Sequence, residues 1–397
     1  MLIKEVLPRI IKDSNGQETV EIEVRTKKGK FYASAPNGKS IGKYENPSYS
    51  PRGIRWSLKL MKILCSHFFQ KNLLFRNFSD LEKIEEFIKK FEEGNDKLGT
   101  NFVYALEVAL AKAAAVENSM ELFEFIKGNS KLTMPGLISN CVGGGINSNL
   151  PKRPDFQEFL VISKENLFSR SVNNNIHIFW NVKNLLKKKE NKWKLKNNRD
   201  GSWQTSLHDE DVLDIMKDAN KFNAKIGVDV AGSWIFDSSK QNYLYEEETL
   251  IRDKEEHGRY IQSVIDRHKL FYIEDAFQGE DFNGFSKLKI RGLNVSNDLA
   301  SSNIKRMDKA VDKKAINSVI IKPNQIGYLG ELVRVVNFCR NKNLKVIFSQ
   351  RNGETMDDSL ADLAVAFDSD YVKIGIHGKE RLVKLKRLLE LEKKFLR

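Results

Sequence analysis

Short apolar runs of four or five residues recur in the second half of the chain and constrain the fold more than any other feature. They are Lys225–Asp229, Phe271–Glu274, Leu293–Ser296, Ser318–Lys322, Lys345–Ser349 and Asp370–Lys373. Amphipathic segments separate them, which is the pattern of strands alternating with helices around a parallel sheet. About 265 residues follow position 130, close to the ~250 typical of a β/α barrel. The spacing therefore predicts an α/β barrel over residues 131–397.

The first 130 residues have a different texture. Val20–Val24 alternates apolar and polar side chains between two turn-rich stretches, which predicts a small antiparallel meander over residues 3–35. Helical patterns follow at about 53–72, 79–93 and 101–117. We expect a smaller N-terminal α+β domain over residues 1–130 that caps the barrel.

Composition excludes several classes of protein. Met1–Ile11 carries charges among its apolar residues, and no other stretch is long and uncharged enough to span a membrane. Cys65, Cys141 and Cys339 are odd in number and far apart, which argues against a disulfide framework and a zinc site. We therefore expect a cytoplasmic protein with no membrane partner.

The formal net charge of +13 favours anionic ligands. Part of the excess lies in one basic run, formed by Lys187, Lys188, Lys189, Lys192, Lys194, Lys196 and Arg199. A solvated loop is the preferred interpretation of this run, because no recognised nucleic-acid fold accompanies it. Nucleic acid is the disfavoured alternative.

Polar side chains stand at or just after the end of each apolar run. They are Asp229, Glu274, Asn297, Asp298, Lys322, Gln350, Arg351 and Lys373. Strand ends of a β/α barrel meet at one rim, so these groups are expected to converge, although any one of them could instead cap a helix or face solvent. A set of oxygen ligands suits Mg²⁺. Burial and a nearby cation, such as Lys373 or Mg²⁺, would lower the pKa of Lys322 toward that of a working base.

Two longer segments make the sequence recognisable. Val319–Gly327 and Ser349–Thr355 closely resemble the signature segments of the enolase family, and Asp13–Gly16 with Val20–Val24 resembles its opening hairpin. The likeness covers nearly the whole chain, most weakly at 46–95 and 165–220. It implies an enolase-type β/α barrel, a homodimer, and a lyase that converts 2-phosphoglycerate, a phosphorylated acid, to phosphoenolpyruvate in glycolysis and gluconeogenesis.

The same resemblance implies roles for individual residues. Asp229 and Glu274 would hold the first Mg²⁺, Ser40 would close over a second one, and Lys322 would remove the α-proton. Lys373 would bind the substrate carboxylate and Arg351 the phosphate, a bidentate task for which the guanidinium is suited. Gln157 and Glu158 match the family's polar pair near the substrate, with Glu158 handling the departing hydroxyl.

Several positions depart from the family pattern. Asn297 stands where the family has the third metal-binding Asp, so either its amide oxygen or the carboxylate of Asp298 is expected to complete the site. Asp200 stands at the position of the family's general-acid Glu. Its side chain is one methylene group shorter, so its carboxylate lies further from the substrate. Other family residues are replaced by Ile146 and Gln350, each at a histidine position, and by Asn352 and Asn37, each at a serine position.

Three functions remain open at this point. The favoured one is a working phosphopyruvate hydratase, because the base, two metal carboxylates and Arg351 are all present. The second keeps enolate chemistry on another acid. The third is a non-catalytic protein that retains the fold and binds anionic partners through its basic surface.

Overall fold

The computed structural model describes residues 1–38, 44–68, 75–128, 132–190, 196–245 and 250–396. The domain boundary predicted near residue 130 and the predicted ligand Ser40 lie outside these ranges, so both stay predictions.

The N-terminal part confirms the predicted meander and helices over the described residues; residues 69–72 of the first predicted helix lie outside them. Its elements are the strands β1 (Glu5–Lys12), β2 (Glu18–Arg25) and β3 (Lys30–Ser34) and the helices α1 (Ile54–Phe68), α2 (Leu81–Glu93), α3 (Thr100–Glu117) and α4 (Leu122–Lys127). The three strands form one antiparallel sheet in chain order. Alanines let α3 approach this sheet closely, and most of its residues are buried.

The remaining strands lie in two sheets. They are β4 (Gly136–Gly143), β5 (Glu158–Ser163), β6 (Lys225–Asp229), β7 (Phe236–Asp237), β8 (Asn242–Tyr245), β9 (Leu250–Arg252), β10 (Tyr272–Glu274), β11 (Leu293–Ser296), β12 (Ser318–Ile321), β13 (Lys345–Ser349) and β14 (Tyr371–Lys373). Within the described residues β4, β5, β6 and β10 to β14 close into an eight-stranded barrel, and β7 to β9 form a small antiparallel sheet. Each of the apolar runs in the sequence is a barrel strand, so that prediction is confirmed.

Helices surround the barrel and connect its strands. They are α5 (Phe168–Lys189), α6 (Asp209–Ala219), α7 (Gly232–Ile235), α8 (Lys254–His268), α9 (Phe282–Lys287), α10 (Ile304–Asp312), α11 (Pro323–Ile326), α12 (Leu329–Asn341), α13 (Ser359–Ala366) and α14 (Lys379–Phe395). In the part of the chain that the structure describes, no helix combines the length and the apolar character that crossing a membrane requires.

One strand departs from the predicted parallel barrel. β5 runs antiparallel to both of its neighbours, β4 and β6. Its first residue, Glu158, therefore pairs with the last residue of β6, Asp229. Consequently β5 brings its N-terminal end, with Gln157 and Glu158, to the rim at which the other strands bring their C-terminal ends.

Strand alternation separates an apolar layer from a polar one. A buried cluster takes alternate residues from the barrel strands, among them Ile138, Leu160, Tyr272, Val295, Ile320, Ile347 and Tyr371. Each strand also places a residue on the same face two positions closer to the rim. These residues are Asn140, Glu158, Glu274, Asn297, Lys322, Ser349 and Lys373. Because side chains on a strand repeat with period two, these polar groups point toward the mouth of the barrel.

The N-terminal part contacts the rim of the barrel. Asn37 and Gly353 exchange two backbone hydrogen bonds, of 2.8 and 2.9 Å. The side chain of Asn324, just beyond β12, donates to the carbonyl of Pro36 at 3.1 Å. The segment after β3 is thereby fixed beside the polar layer.

Candidate active site

A cavity of about 100 Å³ opens at this rim. Every site residue predicted from the sequence other than Ser40 lines it, namely Gln157, Glu158, Asp200, Asp229, Glu274, Asn297, Asp298, Lys322, Gln350, Arg351, Asn352 and Lys373. Glu45, Asn147 and Asp275 also line the cavity and were not predicted. The first two lie in loops outside the apolar runs, which carry no signal of their own in a single sequence.

The charge of the lining is unbalanced. Among the described residues, seven carboxylates and three cationic side chains face the cavity. The carboxylates are Glu45, Glu158, Asp200, Asp229, Glu274, Asp275 and Asp298, and the cations are Lys322, Arg351 and Lys373. A buried excess of negative charge is costly unless cations neutralise it, so the lining favours the binding of a divalent metal ion.

Three carboxylates are close enough to share such an ion. The ligand oxygens of Asp229, Glu274 and Asp275 all lie within 4.8 Å of one another, and the three residues are at most 2% exposed. Hard oxygen donors of this kind fit Mg²⁺. Strand alternation would turn Asp275 away from Glu274, which explains why the sequence did not point to it.

Asn297 and Asp298 are tied to this cluster through their backbone. The carboxylate of Asp275 accepts the N–H of Asn297 at 3.0 Å and the N–H of Asp298 at 2.8 Å. The side-chain oxygen of Asn297 in turn accepts a hydrogen bond from Nζ of Lys322 at 2.7 Å.

Burial, neighbouring carboxylates and neighbouring cations shift the pKa values of the carboxylates in different directions. Burial and the charge of Glu274 raise the pKa of Asp229 well above its ordinary value. Burial and the charge of Asp298 do the same to the pKa of Asp275. Burial also acts to raise the pKa of Glu274, but the ammonium of Lys373, the hydroxyl of Tyr272 and the charge of Lys322 together outweigh it, and the pKa of Glu274 is lowered.

Lys373 binds several of these carboxylates at once. Its Nζ lies 2.6 Å from Glu158, 2.5 Å from Glu274 and 3.5 Å from Asp229. Burial acts to lower the pKa of Lys373, but the surrounding carboxylates raise it well above the ordinary value. Lys373 is therefore a fixed positive charge in the cavity.

Lys322 has the opposite character. Burial lowers its pKa, and the guanidinium of Arg351 lowers it further, against the opposing effect of Glu45 and Asp298. The predicted direction is confirmed, although the cation that contributes is Arg351 rather than Lys373. A lysine of this kind reaches its neutral form at lower pH than an exposed one.

Asp200 and Glu158 face each other across Asn147. The amide nitrogen of Asn147 lies 3.3 Å from Glu158 and 3.4 Å from Asp200. Asp200 also accepts hydrogen bonds from the side chain of Asn140 at 2.8 Å and from the hydroxyl and backbone N–H of Ser202 at 2.6 and 3.0 Å. Burial raises the pKa of Glu158, which Lys373 only partly offsets.

Arg351 forms a buried ion pair with Glu45. Its Nη2 lies 3.2 Å from the carboxylate of Glu45, and both side chains are almost fully buried. The other terminal nitrogen, Nη1, has no hydrogen-bond partner among the described residues. Arg351 is therefore oriented by one partner and has a donor left for a ligand.

The neighbours of Arg351 are held by amide contacts. The side-chain oxygen of Gln350 accepts the N–H of Gly375 at 3.1 Å. Asn352 accepts from Asn15 at 2.8 Å and donates to Asn147 at 3.4 Å.

Two further predicted positions have clear surroundings. Gln157 donates to Asp229 from its side chain at 3.4 Å and from its backbone at 2.9 Å. Ile146 lines the cavity with an apolar surface.

The first residues of the basic run lie at the surface of the barrel domain. Lys187, Lys188 and Lys189 end helix α5 and are exposed, and Lys189 pairs with Asp211 at 2.6 Å. Lys192 and Lys194 lie outside the described residues. Lys187, Lys188 and Lys189 are thus solvated as predicted, but they belong to the last turn of a helix and not to a loop, because the amphipathic pattern of α5 extends to them.

Comparison with known proteins gives one family. The family model "Enolase, N-terminal domain" matches residues 3–126, and "Enolase, C-terminal TIM barrel domain" matches residues 131–396. The chain is 32% identical to the enolase of Methanosphaera stadtmanae over 100% of its own length and 98% of that protein. It is 33% identical to the enolase of Thermoplasma acidophilum, covering 98% of both chains, and 30% identical to that of Methanothermobacter thermautotrophicus, covering 98% of this chain and 96% of the relative.

Proposed function

This chain belongs to the enolase family, and on that premise we propose that it catalyses the reversible, Mg²⁺-dependent dehydration of 2-phosphoglycerate to phosphoenolpyruvate. The proposal rests on one observation. Lys322, whose pKa is lowered, lines the same buried cavity as the carboxylates of Asp229 and Glu274. Perturbed titratable groups that converge in a cleft are typical of active sites.

The oxygen donors of the cavity suit a hard divalent ion. Asp229 and Glu274 would hold it together with Asn297 or Asp298 at the end of β11, beside the carboxylate of Asp275, and the remaining positions are left to substrate and water. When bound, such an ion supplies positive charge to the carboxylate oxygens on which negative charge develops.

Lys322 is the proposed base. The proton on the α-carbon of a carboxylate is very weakly acidic, so its removal needs a base that is neutral near the working pH. Burial and Arg351 favour the neutral form of Lys322. Its Nζ takes the proton, and the electron pair left on the α-carbon forms the new double bond as the neighbouring hydroxyl departs.

The departing hydroxyl takes up a proton and leaves as water. Glu158 and Asp200 are the proposed residues for this task, since both line the cavity on the side of Asn147. Because burial raises the pKa of Glu158, this carboxyl group keeps its proton at a higher pH than an exposed glutamate, and it is the proposed proton donor. Asp200, which accepts hydrogen bonds on both oxygens, orients this half of the cavity.

The anionic groups of the substrate need fixed cations. Lys373 is proposed for the substrate carboxylate, because its ammonium stays charged. Arg351 is proposed for the phosphate, because Nη1 is a buried donor without a described partner. Gln157, Gln350 and Asn352 add neutral donors around the ligand. We expect a cytoplasmic homodimer, as the family likeness implies.

Three substitutions favour a second candidate function. Asn297, Ile146 and Gln350 stand where the family has one acidic and two histidine side chains, and Ile146 offers no hydrogen bond. A site with an intact base and an altered acid side suits enolate formation on another acid substrate.

Proton NMR in deuterated water separates these functions. Incubation of the chain with Mg²⁺ and 2-phosphoglycerate should remove the α-proton signal and produce the vinyl protons of phosphoenolpyruvate. Loss of the α-proton signal without vinyl protons would favour the second function. No change in either signal would leave the non-catalytic alternative.

A further inference from the structure

We propose that Arg381 is a positioning residue that holds the loop carrying Asp200 against the loop carrying Arg351. Residues 197–203 are named the acid loop, and residues 350–355 the phosphate loop. Arg381 lies near the start of α14 and does not line the cavity. The inference rests on the proposed function, because it concerns the residues assigned to the departing hydroxyl and to the phosphate.

One nitrogen of Arg381 bridges the two loops. Its Nη2 donates to the carbonyl of Arg199 at 3.1 Å and to the carbonyl of Asn352 at 3.1 Å. A terminal guanidinium nitrogen carries two N–H groups, so each loop takes one of them. Arg199 directly precedes Asp200, and Asn352 directly follows Arg351. The guanidinium therefore holds each loop one residue away from its functional side chain.

Arg381 is buried in surroundings that do not favour a cation. The residue is 2% exposed, and its side chain forms no ion pair with a carboxylate among the described residues. Its Nε is buried and has no hydrogen-bond partner in that part of the chain. Lys384, one turn further on, is equally buried but pairs with Glu354 at 2.7 Å. A buried charge without a counter-charge is costly, so the placement of Arg381 points to the arrangement of the loops rather than to stability.

The backbone around Arg381 leaves room for its side chain. A Cβ at Gly375 would lie 2.8 Å from Cδ of Arg381, and a Cβ at Gly378 would lie 3.2 Å from Nη1. In the acid loop, Gly201 has a φ of +89°, and a Cβ there would lie 2.6 Å from the carbonyl oxygen of His377. The acid loop thus packs directly onto the turn between β14 and α14, from which Arg381 projects.

Each loop also has an anchor of its own. In the acid loop, the backbone N–H of Trp203 donates to the carbonyl of Cys141 in β4 at 2.8 Å. In the phosphate loop, Gly353 exchanges its two backbone hydrogen bonds with Asn37. Loss of Arg381 should therefore change the spacing of the two loops rather than unfold either of them.

Kinetics of Arg381→Gln test the positioning role. At saturating 2-phosphoglycerate, dehydration should slow by about tenfold or more, since a misplacement of about 1 Å can cost about a hundredfold. Exchange of the α-proton should slow less, because Lys322 projects from another strand, β12. Arg387→Gln is the matched control: this arginine lies further along α14 and binds Asp362 and Glu121. It should keep the ratio of the two rates even if its unfolding temperature falls.

Arg381→Lys is the conservative variant. Its ammonium still carries enough N–H groups to donate to both loops, so the ratio of dehydration to exchange should return part of the way to that of the parent. If dehydration and exchange slow by the same factor in Arg381→Gln and in Arg381→Lys, Arg381 has a structural role only and the proposal is overturned.

Hydrogen–deuterium exchange of backbone amides needs no substrate. In Arg381→Gln, exchange should become faster in both the acid loop and the phosphate loop and stay unchanged in β12. In Arg387→Gln, exchange should become faster in neither loop. A change in only one loop of Arg381→Gln, or in neither, would overturn the proposal. If the parent does not convert 2-phosphoglycerate but both loops respond to Arg381→Gln, the proposed function fails and the positioning role stands.

Discussion

Lys322 donates a hydrogen bond of 2.7 Å to the side-chain oxygen of Asn297. The proposed base is therefore held by a neutral amide at a position where the family has a carboxylate. A carboxylate at this distance would favour the charged ammonium and raise the pKa of the lysine. Because Asn297 is neutral, it does not oppose burial and Arg351, which lower the pKa of Lys322.

Asn297→Asp should shift the pH dependence of the reaction. Lys322 acts only when neutral, so kcat/KM falls as pH drops through its pKa. Because the new carboxylate raises that pKa, the acidic limb of the profile should move to higher pH by about one unit or more at saturating Mg²⁺. If the acidic limb of the pH profile does not move, the new carboxylate at position 297 faces the metal rather than Lys322.

Lys322→Ala should lower kcat for dehydration by at least about a hundredfold, because it removes the group that takes the α-proton. Mn²⁺ affinity and the unfolding temperature should stay near those of the parent, since Lys322 is not a proposed ligand. Lys313→Ala, at an exposed position after α10, is the matched control and should keep full activity. Retained turnover in the Lys322 variant would remove the base assignment.

Asp200→Asn should separate the two halves of the reaction. Dehydration should slow by about a hundredfold or more, whereas exchange of the α-proton with deuterated water should continue. The reason is that exchange needs the base but not the group that handles the hydroxyl. If the exchange of the α-proton and the formation of vinyl protons slow by the same factor in proton NMR, Asp200 supports the whole cavity instead.

Glu45→Ala should weaken substrate binding. The charged pair with Arg351 is buried, and a charge-assisted contact contributes about 1.5–3 kcal/mol, so KM should rise about tenfold or more while kcat changes less. Glu45→Gln, which keeps an oxygen acceptor for Nη2, should show a smaller rise. A fall in KM for Glu45→Ala would instead show that Glu45 competes with the phosphate.

His257 should make stability depend on pH. It is fully buried, donates from Nε2 to the carbonyl of Ala276 at 2.8 Å and accepts from Tyr245 at 2.9 Å, and burial lowers its pKa to about 4. Between pH ~6.5 and ~4 the unfolded chain binds a proton at His257 that the folded chain does not. The free energy of unfolding therefore decreases as the pH is lowered through this range.

The size of this effect follows from the shift in pKa. His257 should remove up to about 3 kcal/mol of stability across that range, and the loss should stop below pH ~4. Urea unfolding of the parent and of His257→Gln measures it, because the difference in stability between the two should narrow as the pH falls. A constant difference would contradict the role given to His257.

Sequence patterns predicted the barrel because its strands are short, apolar and regularly spaced. They also placed Asp229, Glu274, Lys322 and Lys373 at one rim, since the last residue of a parallel strand points there. The same rule did not cover Glu158, which reaches the rim through the antiparallel β5. Its place was expected from the family resemblance alone.

Other parts of the site depend on features that a sequence does not display. Asp275 reaches the cluster through a left-handed backbone conformation, and strand alternation predicts the opposite direction. Glu45 and Asn147 come from loops whose paths are set by tertiary contacts. The role expected for Ser40 and the domain boundary near residue 130 stay predictions.

Lys322 and the carboxylate cluster are proposed to act together on 2-phosphoglycerate. The most direct measurement is the ultraviolet absorbance of phosphoenolpyruvate after 2-phosphoglycerate is added to the purified chain with Mg²⁺, repeated with excess chelator. With Mg²⁺ the absorbance should rise steadily, the chelator should abolish this rise, and excess Mg²⁺ should restore it. No rise with Mg²⁺ present, or a rise that the chelator leaves unchanged, would contradict the joint action of Lys322 and the carboxylates.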